Sequence, residues 1–500
     1  MRAPCLRDLM LIGVLHTVTA LMFHSSSVID EWDTWAFVEN GTFYAFYLVL
    51  QNGTWFADSF GVATSVDGTH FKDHGVVFTG RCLKPPCGKR PWQGGFWMGS
   101  GSIWKDINGR YVVNWSQDRA GTENISFAVS RDLIHWTGVD EVYSPDPRYY
   151  KTHASNGVRW DCIYSIPAST TASLRDGYPR LGYWTATTLG CGPYGLCNQT
   201  MGFGKTHDGL TWEALPSPVM QPPTVHWTEV GAVEYVPGPK STNSSNGRYF
   251  ALLGGNPANQ AAEMIVYSAA QPGGPFIGAR KNKVILPAAK SCYFARFFRG
   301  PNMELLVTHQ SFSHVGRTFI APYKAVDLDS EGTMRLVWWA KNEKLKGSQL
   351  PATTNSTGFF TPPVNVSVGA VFEATFHLPA ARAPLLQWPG FLLSQQGAGA
   401  TLVALDAAGR CVIANVTSAV TPTNPAVEFT WNREVDLWVS GAAVRVRLLY
   451  RRDMLELYVD DILLPVFLMP RGTGEVRLTN AKAPGVRRWN MSLPAISTPS

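Results

Sequence analysis

Three carboxylates in the sequence stand at the same point of a recurring pattern: Asp33 in Trp32-Asp-Thr-Trp35, Asp161 in Arg159-Trp-Asp-Cys162 and Glu229 in Trp227-Thr-Glu-Val230. Residues at equivalent points of a repeat are carried by pseudo-symmetry to the same place in space. Carboxylates gathered in one place oppose each other's ionisation, so one keeps its proton while another is charged. Hydrolysis of a glycosidic bond needs such a pair: a protonated acid for the leaving oxygen and a carboxylate as nucleophile or base. The tryptophans nearby, Trp32, Trp35, Trp97, Trp160 and Trp227, offer flat apolar faces for the C–H side of a sugar ring, and His226 precedes the last of them. A serine nucleophile is a poorer reading. Ser100 lies between Gly99 and Gly101 in a strand pattern, without the strand-to-helix elbow that exposes a catalytic serine. The eleven histidines form no metal-ligand spacing, and His70 and His135 fall in turns. No metal or other cofactor is expected.

The elements that position these acids repeat five times. A turn and an aromatic-rich strand recur at Gly41-Thr-Phe-Tyr-Ala-Phe-Tyr, Gly109-Arg-Tyr-Val-Val-Asn-Trp, Tyr178-Pro-Arg-Leu-Gly-Tyr-Trp, Gly247-Arg-Tyr-Phe-Ala-Leu-Leu and Asn302-Met-Glu-Leu-Leu-Val-Thr. A second element follows the first three copies: Ser65-Val-Asp-Gly, Ser130-Arg-Asp-Leu and Thr206-His-Asp-Gly, each leading to an aromatic residue. This grammar reads as a strand end, an Asp-capped tight turn and the start of the next strand. Five such units predict an all-β chain with a five-bladed β-propeller. The strand preceding each aromatic strand lines the axis, and the fifth of these, around Tyr293 and Arg296, is placed by counting repeats.

After Trp339 the pattern changes. Residues 341–363 are rich in Ser, Thr, Asn and Pro and read as a linker. From residue 364 to 500 alternating runs such as Ala370-Val-Phe-Glu-Ala-Thr-Phe and Leu455-Glu-Leu-Tyr-Val predict a β-sandwich with one buried and one wet face per sheet. The propeller is then assigned to residues 28–340. The chain's 500 residues suffice for these domains, and the 45% hydrophobic share against 16% charged excludes a disordered chain. The 43 basic and 37 acidic residues give a net charge of +6 without a basic run longer than a pair. That excludes nucleic acid as the expected partner.

Residues 1–27 resemble a secretory signal peptide or signal-anchor, with Arg2 and Arg7 before an apolar run. A membrane is a partner only if that segment stays attached. Asn-x-Ser/Thr acceptors occur at ten positions, Asn40, Asn52, Asn114, Asn124, Asn198, Asn243, Asn355, Asn365, Asn415 and Asn490, against about three or four expected by chance. Cys82 and Cys87, and Cys191 and Cys197, bracket short Pro/Gly segments that suit local disulfides. Cys162, Cys292 and Cys411 read as buried thiols, one pair of which could be bridged. Together these features predict a secreted, glycosylated, disulfide-bonded protein.

From residue 28 to 495 the chain resembles the glycoside hydrolase family 32 group of fructan-cleaving enzymes and its five-bladed relatives. Trp32-Asp33-Thr34-Trp35 resembles the motif ending in Asn-Asp-Pro-Asn-Gly, whose Asp is the nucleophile. Trp97-Met98-Gly99-Ser100 resembles the Phe-Ser-Gly-Ser motif. Arg159-Trp160-Asp161-Cys162 resembles Arg-Asp-Pro, whose Asp stabilises the transition state, and Glu229-Val230-Gly231 resembles Glu-Cys-Pro, whose Glu is the acid/base. The resemblance implies a propeller joined to a C-terminal β-sandwich, a carbohydrate substrate, and sugar contacts from Trp32, Trp35, Trp97, Ser100, Arg159, Trp160 and Trp227. The sequence departs from the family where Pro is missing after Asp33, where Trp160 separates Arg159 from Asp161, and where Cys and Pro are absent after Glu229. Leu48 stands where the family has a sugar-binding Gln. The fold and the hydrolase class therefore carry over further than the substrate. A retaining fructosidase is the first expectation, with an inverting enzyme similar to family 43 arabinosidases and xylosidases, or a binding propeller without catalysis, as the alternatives.

Overall fold

The computed structural model describes residues 17–18, 22–50, 57–80, 98–119, 122–152, 158–168, 177–191, 197–223, 228–238, 247–255, 263–286, 292–313, 317–350, 353–355, 358–360, 368–383, 387–395, 399–417, 426–430, 438–469, 472–479 and 487–491. Trp97, Trp227, His226, the Cys82–Cys87 loop and most of the N-terminal segment lie outside the described residues.

The turn grammar read from the sequence has a direct physical counterpart. In blade one Asp67 Oδ1 accepts the backbone N–H groups of Thr69 and His70 at 2.8 and 2.9 Å, and Ser65 Oγ accepts that of Gly68 at 2.8 Å. Asp132 and Ser130 do the same in blade two, and Asp208 and Thr206 in blade three. The side chains satisfy the donors that the tight turn leaves unpaired. The residue at the fourth place has positive φ in all three: Gly68 at 77°, Leu133 at 68° and Gly209 at 90°.

These turns join antiparallel strands into five blade sheets. The inner strands are Glu31–Glu39, Ile103–Lys105, Trp160–Pro167, Thr228–Val236 and Cys292–Arg299, the last where repeat counting put it. Each is followed outward by the aromatic strand of its repeat, as in Thr42–Leu50 and Tyr111–Arg119. Aromatic side chains fill the space between blades. Trp160, Trp184, Tyr143 and Tyr150 form one such cluster, with ring centroids 4.9–6.2 Å apart, within the range where edge-to-face pairs add to apolar burial.

The propeller begins earlier than residue 28. Phe23 pairs with Ile320 of blade five through two backbone hydrogen bonds of 2.9 and 2.8 Å. Met22 is fully buried, and Ser25 and Ser27 both donate to Asp73 at 2.6 and 2.7 Å. Residues 22–27 thus pack between the first and last blades, and the propeller takes in residues that the sequence reading placed in the N-terminal segment. The linker expectation is also corrected. Ala340–Leu345 forms a 3-10 turn, and Lys346–Leu350 pairs with Arg487–Met491 at the edge of a sandwich sheet. Polar composition marked an exposed edge there, with Ser348 and Gln349 facing water.

The sandwich sheets pack face to face around Phe372, Phe376, Phe391, Leu448, Leu457 and Val476. One of them is continuous with blade five: Met334–Trp338 pairs with Ile462–Leu468 through Val337 and Ile462, giving a single eleven-stranded sheet. Cys162, Cys292 and Cys411 are buried, and no disulfide joins any two of these three. Cys191 and Cys197 face each other in register across two strands of blade three. Among the acceptor asparagines, Asn40 sits in an exposed turn, whereas Asn114 and Asn124 are buried. The Asn114 amide is consumed internally: Nδ2 donates to Ser102 O and Ile163 O, and Oδ1 accepts from Ile163 N–H. No helix among the described residues is long and apolar enough to cross a membrane.

Candidate active site

The inner strands reach the axis with their N-terminal ends at one mouth, and four of them are interrupted there. Pairing with the next strand shifts between Trp32 and Thr34, between Asp161 and Tyr164, between Val230 and Ala232, and between Tyr293 and Arg296. Such bulges break the alternation of side chains and re-aim a residue at the rim of a closed β structure. Asp33 and Cys162 adopt φ of 33° and 28° at two of them, a strained choice for residues with a Cβ that is found where function fixes the backbone. In blade four the bulge carries Gly231, where a Cβ would lie 2.3 Å from the carbonyl oxygen of Ala295. Only glycine permits this approach of blades four and five. In blade two residues 98–102 form no ladder strand; Met98 and Gly99 donate their N–H groups to Ala57 O and Ser116 O at 2.8 and 2.9 Å.

The result is a cleft of about 280 Å³ lined by Asp33, Asp161, Glu229, Glu123, Arg159 and Tyr293, with Trp32, Leu48, Leu50, Ala57, Met98 and Ser100 completing its walls. Its size suits one small polar ring better than a long chain. Arg159 stands at the centre of the acids. Its guanidinium donates to Glu123 at 3.1 Å, to Glu229 at 3.0 Å and to Asp161. Tyr293 donates its hydroxyl proton to the other oxygen of Glu229 at 2.6 Å, and Ser116 donates to Asp161. Glu123 also accepts the backbone N–H of Trp160 at 3.0 Å, which fixes the carboxylate that holds Arg159.

Asp33 and Asp161 are tuned apart. Burial and then the charge of Glu229 push Asp33 up to about 7, against the pull of Arg296 and Ser100. Burial also acts to raise Asp161, but the charge of Arg159 and the hydrogen bonds from Ser116 and Arg159 outweigh it and hold Asp161 below the ordinary carboxylate value. Burial and the neighbouring Glu229 keep the Tyr293 phenol far above its usual value, so it remains a donor. One buried oxygen of Asp33, Oδ1, has no hydrogen-bond partner. A buried acceptor without a partner is costly in a resting protein, and this one belongs to a residue that lines the cleft. No group of three or more His, Cys, Asp or Glu side chains arranged to hold a metal ion occurs among the described residues.

Of the residues expected here, Asp33, Asp161, Glu229, Trp32, Ser100 and Arg159 line the cleft. Trp32 presents its ring beside the acids and stacks on Phe312 at 5.2 Å and 17°. Trp160 does not line it. The residue before Asp161 on an extended strand points to the other face, and Trp160 is fully buried between blades against Trp184 and Tyr150. Trp35 is also displaced. The bulge at Asp33 reverses the alternation, and Trp35 packs on Phe46 and borders a cavity at the opposite mouth. Glu123, Tyr293, Ser116 and Arg296 were not singled out for this site. Tyr293 opens the fifth inner strand and could have been found by phase with the acids; Glu123 comes from the third strand of blade two, and no local pattern marks it.

No protein-family model and no curated protein sequence matches the chain. Solved structures do match over almost its whole length. Sucrose-6-phosphate hydrolase from Lactobacillus gasseri aligns over 96% of this chain and 94% of its own at 11% identity, with a TM-score of 0.66. An exo-inulinase from Aspergillus awamori aligns over 95% and 98% at 12% identity, with a TM-score of 0.63. A glycoside hydrolase family 32 structure from Bifidobacterium adolescentis aligns over 95% and 81% at 12% identity, with a TM-score of 0.61. The chain shares the propeller-and-sandwich fold of these proteins.

Proposed function

We propose that the chain is a glycosidase that releases a terminal furanosyl unit, fructosyl first, with retention of configuration. The observation that carries this reading is the convergence of Asp33, Asp161 and Glu229, from three bulged inner strands, on one cleft sized for a single sugar ring. The names of the structural neighbours, a sucrose-6-phosphate hydrolase and an exo-inulinase, support the fructoside.

In this mechanism the Asp33 carboxylate attacks the anomeric carbon while the Glu229 carboxyl passes its proton to the glycosidic oxygen, whose bond to that carbon breaks. Water then attacks the glycosyl ester, Glu229 takes up its proton, and Asp33 is freed. Asp161, kept ionised by Arg159 and Ser116, accepts hydrogen bonds from ring hydroxyls and stabilises the cationic sugar. Tyr293 and Arg159 orient Glu229.

Burial and the charge of Glu229 keep the proton on Asp33 up to about pH 7 in the free protein. The attacking form is the Asp33 carboxylate, so the rate rises as pH rises through about 7.

Leu48, Leu50, Ala57 and Met98 make one wall apolar, and this wall supports a substrate with fewer hydroxyls to read than a fructan chain offers. We further propose a secretory route, supported by the exposed acceptor Asn40 and by the register of Cys191 opposite Cys197. The test is sugar release by wild type and Glu229→Gln from sucrose, inulin, levan and aryl fructoside, arabinofuranoside and xyloside, with the first-formed anomer read by NMR. Release that depends on Glu229 with a retained anomer is the expected result. An inverted first product would replace the mechanism with the family 43-like one, and no release from any substrate would overturn the enzyme.

A further inference from the structure

The opposite mouth of the axis holds a second cavity, of about 320 Å³, at the C-terminal ends of the same inner strands. Its walls are apolar where Phe37, Trp35 and Phe297 face it, and its charged groups are Glu39, Lys105, Arg180, Glu234, Arg296 and Arg299. Two of the cations are already neutralised. Lys105 pairs with Glu39 at 2.9 Å, and Arg299 pairs with Glu234 at 2.7 Å. Tyr164 occupies the other oxygen of Glu234 at 3.2 Å.

One cation, Arg180, is left over. Arg180 donates only to the hydroxyl and carbonyl of Ser165, at 2.8 and 3.1 Å, and contacts no carboxylate. Burial pushes its pKa down to about 10 against the charge of Glu234, so its charge is poorly compensated. Arg296 is fully buried; its terminal nitrogens donate to Gly231 O, Ser100 Oγ and Cys162 Sγ, and its charge acts on Asp33 of the acid cleft, so it adds no surplus charge at this mouth. Its Nε has no partner, and neither does the Nε1 of Trp35, also buried at this cavity. A cavity with surplus positive charge, donors without acceptors and aromatic walls is complementary to an oxyanion carried on a small apolar body.

We propose that this mouth is a second ligand site, distinct from the acid cleft, that takes a small organic oxyanion, a phosphate ester or a carboxylate, with Arg180 as its main anchor and Lys105 at its rim. The oxyanion accepts from the guanidinium while the apolar body lies along Phe37 and Phe297. The proposal does not depend on the reaction assigned to the acid cleft.

The test is calorimetric titration and thermal-shift measurement on the full chain with phenyl phosphate, benzoate and uncharged benzyl alcohol. Saturable one-to-one binding of phenyl phosphate or benzoate, but not of benzyl alcohol, is expected, and the tighter of the two anions identifies the headgroup. Arg180→Gln weakens binding at least tenfold, as expected for the loss of a charge-assisted contact. Lys105→Glu, at an exposed position that leaves the core untouched, weakens it about fivefold by reversing the rim charge. Glu229→Gln leaves it unchanged. The proposal is overturned if neither anion binds saturably, if benzyl alcohol binds as well as the anions, if Lys105→Glu and a folded Arg180→Gln bind like wild type, or if Glu229→Gln abolishes binding.

Discussion

Two groups of buried charges in this protein differ in one respect that separates structure from chemistry. At the junction of propeller and sandwich, Lys324 of blade five donates to Glu456 of the sandwich at 2.6 Å, and both side chains are fully buried. Lys324 also donates to Pro322 O at 2.6 Å, and Tyr458 donates to the second oxygen of Glu456 at 2.7 Å. One positive charge meets one negative charge, and both carboxylate oxygens are occupied. In the acid cleft Asp33, Glu123, Asp161 and Glu229 outnumber Arg159 and Arg296, an oxygen of Asp33 is unpartnered, and the cluster opens on space. A closed and balanced network fixes a domain interface. An open and unbalanced one holds a protonation state that a ligand can change.

The sharpest way to separate the two is to remove one charge from each. Asp33→Asn takes away the proposed nucleophile and keeps its shape, and Asn tolerates the left-handed backbone found at this position. Activity is expected to fall at least about 10⁴-fold. Stability should move the other way. The folded-state pKa of Asp33, about 7, lies above its unfolded value, so the native state binds the extra proton. That contribution to stability is complete below about pH 4 and is lost as pH rises through 7. The variant should therefore match wild type near pH 4 and exceed it near pH 8, measured by urea unfolding at both pH values. Equal stability at both would mean that Asp33 is not the strained member of the cluster.

Lys324→Met should do the reverse. It leaves Glu456 buried without its counter-charge, which costs about 3–5 kcal/mol. The kcat of the molecules that remain folded should be unchanged, because the pair lies at the sandwich interface and not among the residues lining the cleft. Adding Glu456→Leu should recover most of the loss, since a well-packed apolar pair replaces a buried ion pair at little cost. A fall in kcat with stability preserved would break the contrast between the two clusters.

The sequence revealed the blades because their turns are local: an Asp and a Ser or Thr cap three backbone donors within five residues, and that pattern survives in Ser65, Asp67 and their counterparts. The phase of Asp33, Asp161 and Glu229 was legible for the same reason, since repeat position alone brought them to one mouth. What failed was the step from position to direction. Trp160 and Trp35 share segments with the acids, but strand alternation turns one away and a bulge turns the other, and bulges leave no signature in these residues. The linker failed because an edge strand and a loop have similar polar composition. Glu123 was hidden because its partners, Arg159 and the backbone of Trp160, are 36 and 37 residues distant in sequence.

The same distinction between position and direction yields the smallest of the expected effects. Trp32 and Trp160 each adjoin a cleft acid in sequence, but only Trp32 lines the cleft, stacked on Phe312. Trp32→Ala removes an apolar face from the sugar site and should raise KM about tenfold, as expected for about 1.4 kcal/mol of lost stacking, with kcat within about twofold of wild type. Trp160→Phe should leave KM alone and lower stability, because its ring is enclosed by Tyr143, Tyr150 and Trp184 and the smaller ring leaves space that the blades cannot close. Initial rates across a substrate range, with urea midpoints for both variants, decide it. If Trp160→Phe raised KM and Trp32→Ala did not, the sugar would sit on the other face of the strand, and the cleft between the bulges would not be the place where the glycoside binds.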